Sequence, residues 1–193
     1  MALQTDYFSE ADLGTPPKSI WLTAEVFRNS ADYLMDRLYR SDTDVVTRFR
    51  LMGVAYVNAA FAIEVYLKCL IEIETGSPAP RVHNLVTLFD QLNAANRTRI
   101  TEIFDETIVN NESVKNVPAG HVAPPTDLKS VLDILKNIFV EFRYVYSFGP
   151  NAVHGINEVM IAVRKRIIEL HPNWESLEPA FPNVKHPPIM WSL

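Results

Sequence analysis

The sequence has little cysteine and little glycine: one cysteine, Cys69, and six glycines in 193 residues. A single cysteine excludes a disulfide framework within the chain. Its apolar setting, EVYLKCLIEI, indicates a buried free thiol in a reducing compartment. The sequence contains no Gly-rich phosphate loop, no metal-ligand spacing and no Ser-His-Asp arrangement. We therefore expect no metal and no cofactor.

Positive charge is also scarce. The 18 lysines and arginines are outnumbered by 23 aspartates and glutamates, for a net charge of −5. This balance argues against a protein whose whole surface binds nucleic acid, although it leaves room for a local basic patch. The N-terminal residues lack the basic and apolar segments of a signal peptide. The longest apolar run, 51–73, contains Glu64, Lys68 and Glu72, and three charges argue against a membrane span. We expect a cytoplasmic protein that does not contact a membrane.

Strand-type alternation is missing, whereas apolar residues recur with the 3.6-residue period of a helix. This pattern predicts an all-α, up-and-down bundle of about five helices. Pro16 and Pro17 should stop the first helix from extending backwards, and Thr126 is the candidate cap of the fourth. The third helix continues after a break near 94–96. The predicted helices span 19–40, 45–74, 83–92, 127–148 and 156–170.

The prolines divide the chain into an expected bundle and two ends. Residues 1–18 form an N-terminal arm, 19–171 the helical bundle, and 172–193 an irregular tail rich in proline and tryptophan. Five prolines exclude regular structure in that tail. Its tryptophans, Trp174 and Trp191, indicate that it packs along the bundle or a neighbouring subunit.

Three stretches resemble the HEPN superfamily, small helical bundles of prokaryotic toxin, phage-defence and nucleotidyltransferase-associated systems. They are NAAFAIEVYLKCLIEIETG, HNLVTLFDQL and FVEFRYVYSF, all within residues 45–148. The shared features are a long helix with Glu64 and Lys68 one turn apart, a stop at glycine, and His-Asn-Leu opening an amphipathic helix. The resemblance implies a protein of a prokaryotic defence, toxin–antitoxin or stress system that contacts RNA or nucleotides.

Active members of that superfamily are metal-independent ribonucleases, which the resemblance makes a candidate activity. Their signature is an arginine followed by a histidine after four to six intervening residues, and dimerisation brings two such pairs together. Before His154 the three possible positions, 147–149, hold no basic residue, and Arg143 lies too far away. The motif is therefore degenerate, and the weak catalytic candidates are Arg143, His154 and His83. For His83 a capping or packing role is favoured over catalysis, and for His154 a structural role.

The only formal matches to the spacing are Arg164 and Arg166 ahead of His171, where Ile167 fills a position that is usually polar. The surroundings thus argue against a catalytic pair there. Arg164, Lys165 and Arg166 nevertheless form a basic cluster, the best local place for RNA or another anion. The simpler alternative is a solvated helix face, as for most such clusters.

A polar seam interrupts the apolar helices at Glu64, Lys68 and Tyr146. Glu64 and Lys68 are four residues apart with the acid first, the favourable order for a helical ion pair. A solvent-facing or subunit seam is favoured over a functional pocket, because charge stripes are usually solvated. Arg143 needs a partner if it is buried, and a structural ion pair with Glu64 or Glu141 is slightly favoured over phosphate binding.

Two functions from different classes remain. The first is an HEPN-like protein associated with RNA or nucleotides, catalytically degenerate or not. The second is a non-catalytic helical scaffold whose grooves bind a partner protein. The resemblance favours the first for biological context, whereas the incomplete Arg/His pair favours the second for chemistry.

We predict a homodimer, because the second helix is apolar around most of its circumference and a thin bundle leaves part of such a helix uncovered. Light scattering at tens of micromolar protein should give twice the monomer mass. A monomer mass at that concentration would contradict the prediction.

Overall fold

A computed structural model describes residues 16–111, 115, 124–136 and 154–176. These ranges contain helices and no strand, which confirms the predicted all-α bundle. One 3₁₀ turn, Pro172–Trp174, follows the last helix. The helices are α1 (Pro16–Tyr39), α2 (Val45–Thr75), α3 (Leu85–Gln91), α4 (Ala94–Ile108), α5 (Leu128–Leu135) and α6 (Ile156–Leu170).

Helix α2 is the central element of the bundle. It packs along α1 and also contacts α3 and α6, while α6 contacts α4 and α5 as well. By length and composition alone α2 is apolar enough to cross a membrane, with a mean hydropathy of 1.6 in its most apolar window. However, 67% of that window is buried inside the protein. A position in the core accounts for its apolar character.

Both ends of α2 follow the sequence signals. The Asp44 side chain accepts hydrogen bonds from the backbone N–H groups of Val46 and Thr47, at 3.0 Å each. Gly76 ends the helix with φ 63°, and its N–H donates to the Glu72 carbonyl at 2.9 Å. A positive φ costs glycine little because it has no Cβ, and the helix therefore stops there.

Three helix starts differ from the predictions. Helix α1 includes Pro16 and Pro17, since a first helical turn has no use for the N–H that proline lacks. Asn84 caps α3 by accepting from the Thr87 N–H at 3.0 Å, so the capping role considered for His83 is wrong. Asp127, not Thr126, caps α5, accepting from the Ser130 N–H at 2.9 Å. Only 128–135 of the predicted fourth helix falls within the described residues as helix.

The start of the tail packs on the bundle, as predicted for Trp174. Its buried ring stacks on His171, with 4.2 Å between ring centroids, and lies 6.1 Å from the ring of Trp21. The exclusion of regular structure is wrong at one point, because Pro172–Trp174 forms a 3₁₀ turn, which accepts proline at its first position. Trp191 lies outside the described residues.

Cys69 is fully buried, as the sequence predicts. Its thiol donates a hydrogen bond to the carbonyl oxygen of Pro17, with 3.2 Å between Sγ and that oxygen. Burial, together with the charge of Glu72, raises the pKa of the thiol to about 12. The reactive thiolate is therefore scarce as well as inaccessible.

We predict that a disulfide reagent labels Cys69 in the native protein at least about 100-fold more slowly than in denaturant, because labelling requires opening of the core. Absorbance of the released thiol measures both rates. Equal rates would show that α2 does not present Cys69 to the core.

Candidate functional site

A buried carboxylate on α2 joins two other residues of the predicted site. Glu64 is 3% exposed, and its Oε1 accepts a hydrogen bond from Lys68 Nζ at 2.7 Å. The same oxygen lies 3.0 Å from Nδ1 of His83. The turn at Gly76 reverses the chain after α2 and returns His83 to that helix. We call Glu64, Lys68 and His83 the Glu64 cluster.

The hydrogen bond between His83 and Glu64 determines which ring nitrogen of His83 carries the lone pair. An ionised carboxylate only accepts hydrogen bonds, so Nδ1 must carry a proton. In the neutral imidazole the lone pair then resides on Nε2. The His83 side chain is 74% exposed, so one edge is anchored while the ring remains open to solvent. An imidazole held in this way can accept a proton from a bound molecule, or it can form a bond to that molecule.

The second oxygen of Glu64 is buried as well. Oε2 accepts no hydrogen bond from any atom in the described ranges. Such an oxygen is costly, because it has lost water without gaining a partner. The charge of Lys68 offsets part of this cost, and removal of Lys68 would leave a buried carboxylate poorly compensated. The Glu64 cluster therefore keeps charged groups in the core at a cost in stability.

The structure brings together three residues that the sequence places in two separate groups. Glu64 and Lys68 belong to the predicted polar seam, and their helical ion pair forms. His83 is a separate catalytic candidate in the sequence, and the turn after α2 adds it to the pair. The third seam residue, Tyr146, and the candidate Arg143 lie outside the described residues.

A second buried carboxylate, Glu25 on α1, has no counterpart among the predicted site residues. It is 1% exposed and accepts from Arg164 Nε at 2.8 Å and from Arg28 Nη2 at 3.0 Å. The hydroxyl of Tyr66 on α2 also donates to it. Glu25 thereby ties α1, α2 and α6 together. Its position four residues after the buried Trp21, on the inward stripe of α1, was the available sequence signal.

The charges around Glu25 fix its protonation. Burial alone would raise the pKa of this carboxyl, but the hydrogen bond and charge of Arg164, with the charge of Arg28, outweigh burial and lower it. Burial and the neighbouring Glu25 charge raise the pKa of Tyr66 well above its ordinary value. Glu25 therefore stays ionised and Tyr66 stays a hydrogen-bond donor at neutral pH.

The predicted basic cluster is divided among different neighbours. Arg164 binds Glu25, whereas Arg166 donates to the Asn96 side-chain oxygen at 2.6 Å and to Glu169 at 3.1 Å. Lys165 is half exposed, and its Nζ lies 3.9 Å from the Glu106 carboxylate. Successive helical residues point in different directions, about 100° apart. An anion site at these three residues stays a prediction, although their contacts disfavour it.

A groove of about 670 Å³ lies between α1 and α6. Met160, Ile161 and Ile168 supply apolar surface from α6, and charges of both signs surround them. The groove therefore offers apolar contacts together with charges of both signs. The charged residues that line the groove are Arg28, Asp32, Arg164, Lys165, Glu169 and Glu175.

The candidate His154 lies in a half-buried turn before α6, and the glycine after it has a structural reason. Gly155 has φ 82°, and a Cβ at this position would lie 2.9 Å from Cγ1 of Val131. Both the backbone angle and the close approach of α5 therefore require glycine. Convergence of His154 with Arg143 would involve residues outside the described ranges.

Comparisons with known proteins found no match to this chain among protein-family models, curated proteins or solved structures. In the described part of the chain no group of three histidine, cysteine, aspartate or glutamate side chains could hold a metal ion. The candidate chemistry therefore rests on the geometry of the Glu64 cluster.

We predict that Arg164→Ala lowers the free energy of unfolding by about 2 kcal/mol, because it removes a charged hydrogen-bond donor from the buried Glu25. The adjacent exposed residue provides a matched control: Lys165→Ala should cost less than about 0.5 kcal/mol. Urea unfolding at neutral pH measures both. Equal effects of the two variants would contradict the structural role of Arg164.

The effect of Arg164→Ala should also depend on pH. The folded pKa of Glu25 lies below its ordinary value of 4.5, so the stabilisation is complete above that pH. It is lost as the pH falls through the lowered folded value. The difference between Arg164→Ala and the parent should therefore shrink in acid, and a constant difference would contradict this linkage.

Proposed function

We propose that this chain is an HEPN-like protein of a prokaryotic defence, toxin–antitoxin or stress system and that it acts on RNA at the Glu64 cluster. The observation that carries the proposal is the exposed His83 imidazole, held by its Nδ1 on the buried Glu64 carboxylate beside Lys68. The resemblance supplies the biological context, and the cluster supplies the chemistry.

The arrangement suits cleavage of RNA without a metal. Nε2 of His83 takes the proton of a 2′-hydroxyl, and the 2′-oxygen forms a bond to the adjacent phosphorus. The bond from phosphorus to the 5′-oxygen breaks, and that oxygen takes a proton from water. The products are a 2′,3′-cyclic phosphate and a free 5′-hydroxyl. Lys68 stabilises negative charge on the phosphate oxygens, and Glu64 stabilises the imidazolium that forms.

In this mechanism His83 transfers the proton, in place of the degenerate Arg/His motif. The spacing from Arg143 to His154 does not fit the signature, and His154 immediately precedes a glycine required by packing. His83, in contrast, has an anchored ring and an adjacent cation. Arg143 and His154 remain weaker catalytic candidates and belong in the test.

We predict that purified protein cleaves total RNA slowly with or without a chelator and that His83→Ala reduces the rate by about 100-fold, the usual contribution of one general base. His171→Gln serves as the matched control, because this histidine stacks on Trp174 away from the cluster. The control should retain the parent rate. Gel electrophoresis and end-group analysis should show 2′,3′-cyclic phosphate termini.

The other outcomes assign the function elsewhere. Loss of cleavage in Arg143→Ala and His154→Ala, with full activity in His83→Ala, would place the site at the degenerate motif. Activity that disappears with the chelator would contradict a metal-independent reaction. Thermal unfolding of each variant separates a chemical effect from loss of the fold, which matters for His83→Ala because His83 is one of two described hydrogen-bond partners of the buried Glu64.

A second candidate function is a non-catalytic scaffold that binds a partner protein in the α1–α6 groove. The groove carries charges of both signs, which favours this candidate. Arg28 and Arg164 each already have a carboxylate partner, which also favours it. The fitting partner is an amphipathic segment with apolar side chains on one face and charges of both signs beside them. A parent protein that leaves RNA intact supports this candidate over the first.

A further inference from the structure

The same imidazole nitrogen that can accept a proton can also attack phosphorus. We propose that His83 is a covalent modification site whose Nε2 accepts a phosphoryl group from a donor with a good leaving group, such as an acyl phosphate or a phosphoramidate. This inference goes beyond RNA cleavage and does not require it. It depends on the tautomer, the exposure and the charges of the Glu64 cluster.

The tautomer makes Nε2 the nucleophile. Nδ1 lies 3.0 Å from Glu64 Oε1 and must donate its proton to that carboxylate, which leaves the lone pair of the neutral ring on Nε2. With 74% of the side chain exposed, a small donor can approach the ring without opening the bundle.

The neighbouring charges favour both the binding of the phosphoryl donor and the attack of the imidazole. Lys68 Nζ and His83 Nδ1 bond to the same oxygen, so they are no more than about 6 Å apart. The ammonium group can attract the negatively charged phosphoryl oxygens of the donor. Glu64 contacts the ring at Nδ1, not at Nε2, and stabilises the positive charge that the imidazole gains when Nε2 forms the new bond.

The transfer balances without another reactant. With acetyl phosphate as donor, the Nε2 lone pair forms the N–P bond while the bond between phosphorus and the acyl oxygen breaks. The bonding electrons leave with acetate, which needs no proton at neutral pH. The proton on Nδ1 stays on the ring and keeps its hydrogen bond to Glu64. No oxidation or reduction occurs.

The two other described histidines lack this combination. His171 stacks on Trp174, with ring planes 11° apart, which covers one face of its imidazole. His154 is half buried in the turn before α6. These two histidines therefore serve as internal controls for His83 when the protein is treated with a reagent that phosphorylates histidine.

The test is incubation of the purified protein with acetyl phosphate and, separately, with potassium phosphoramidate, without RNA. Peptide mass spectrometry at alkaline pH preserves the acid-labile N–P bond and locates it. We expect phosphorylation of His83 at least about 10-fold faster than that of His154 or His171, the advantage of an oriented nucleophile beside a cation. Glu64→Gln should remove this advantage, whereas Glu102→Gln, an exposed control on α4, should retain it.

Phosphorus NMR of the intact parent protein gives a second readout that needs no variant. The phosphoryl group should be on Nε2, because Nδ1 is engaged with Glu64. Phosphorylation on Nδ1, or equal rates at the three histidines, would overturn the proposal. Since the assay contains no RNA, a failure here is distinct from a failure of RNA cleavage.

Discussion

The buried charge of Glu25 is the constraint on which the packing of the described helices depends. One carboxylate on α1 receives donors from α2 and α6 as well as from its own helix. A charge in the core is tolerated only when its partners are in place, so this interaction specifies how the three helices face one another. The aromatic rings beside it pack accordingly, with the Arg164 guanidinium 5.4 Å from the centre of the Trp21 ring.

Glu64 is a second buried carboxylate, and comparison with Glu25 separates a structural site from a chemical one. Glu25 has donors on both oxygens, and two arginines neutralise it within the core. Glu64 has all its described partners on one oxygen, and one of them is an exposed histidine. The first arrangement is closed and stabilises the fold. The second presents an imidazole to solvent, which is why the proposed chemistry is located there.

The same contrast explains why basic residues are a poor guide to the site in this protein. Arg164 is the first residue of a run of three cations, yet it serves the core by neutralising Glu25. Lys68 is the one basic residue in the apolar stretch 51–73 of α2, yet it is the cation next to the exposed imidazole. A run in sequence spreads around a helix, whereas residues distant in sequence can share one oxygen atom.

Local sequence patterns were sufficient to predict the helical class, the bounds of α6, both ends of α2, the burial of Cys69 and the pairing of Glu64 with Lys68. All of these depend on interactions within one helix or one turn: the apolar period, the caps, and side chains four residues apart. The packing of the helices brings His83 to Glu64 and Arg164 to Glu25, residues that are 19 and 139 positions apart in sequence. Periodicity shows which face of a helix is inward, but the partner across that face depends on how the helices pack, and no local pattern encodes it.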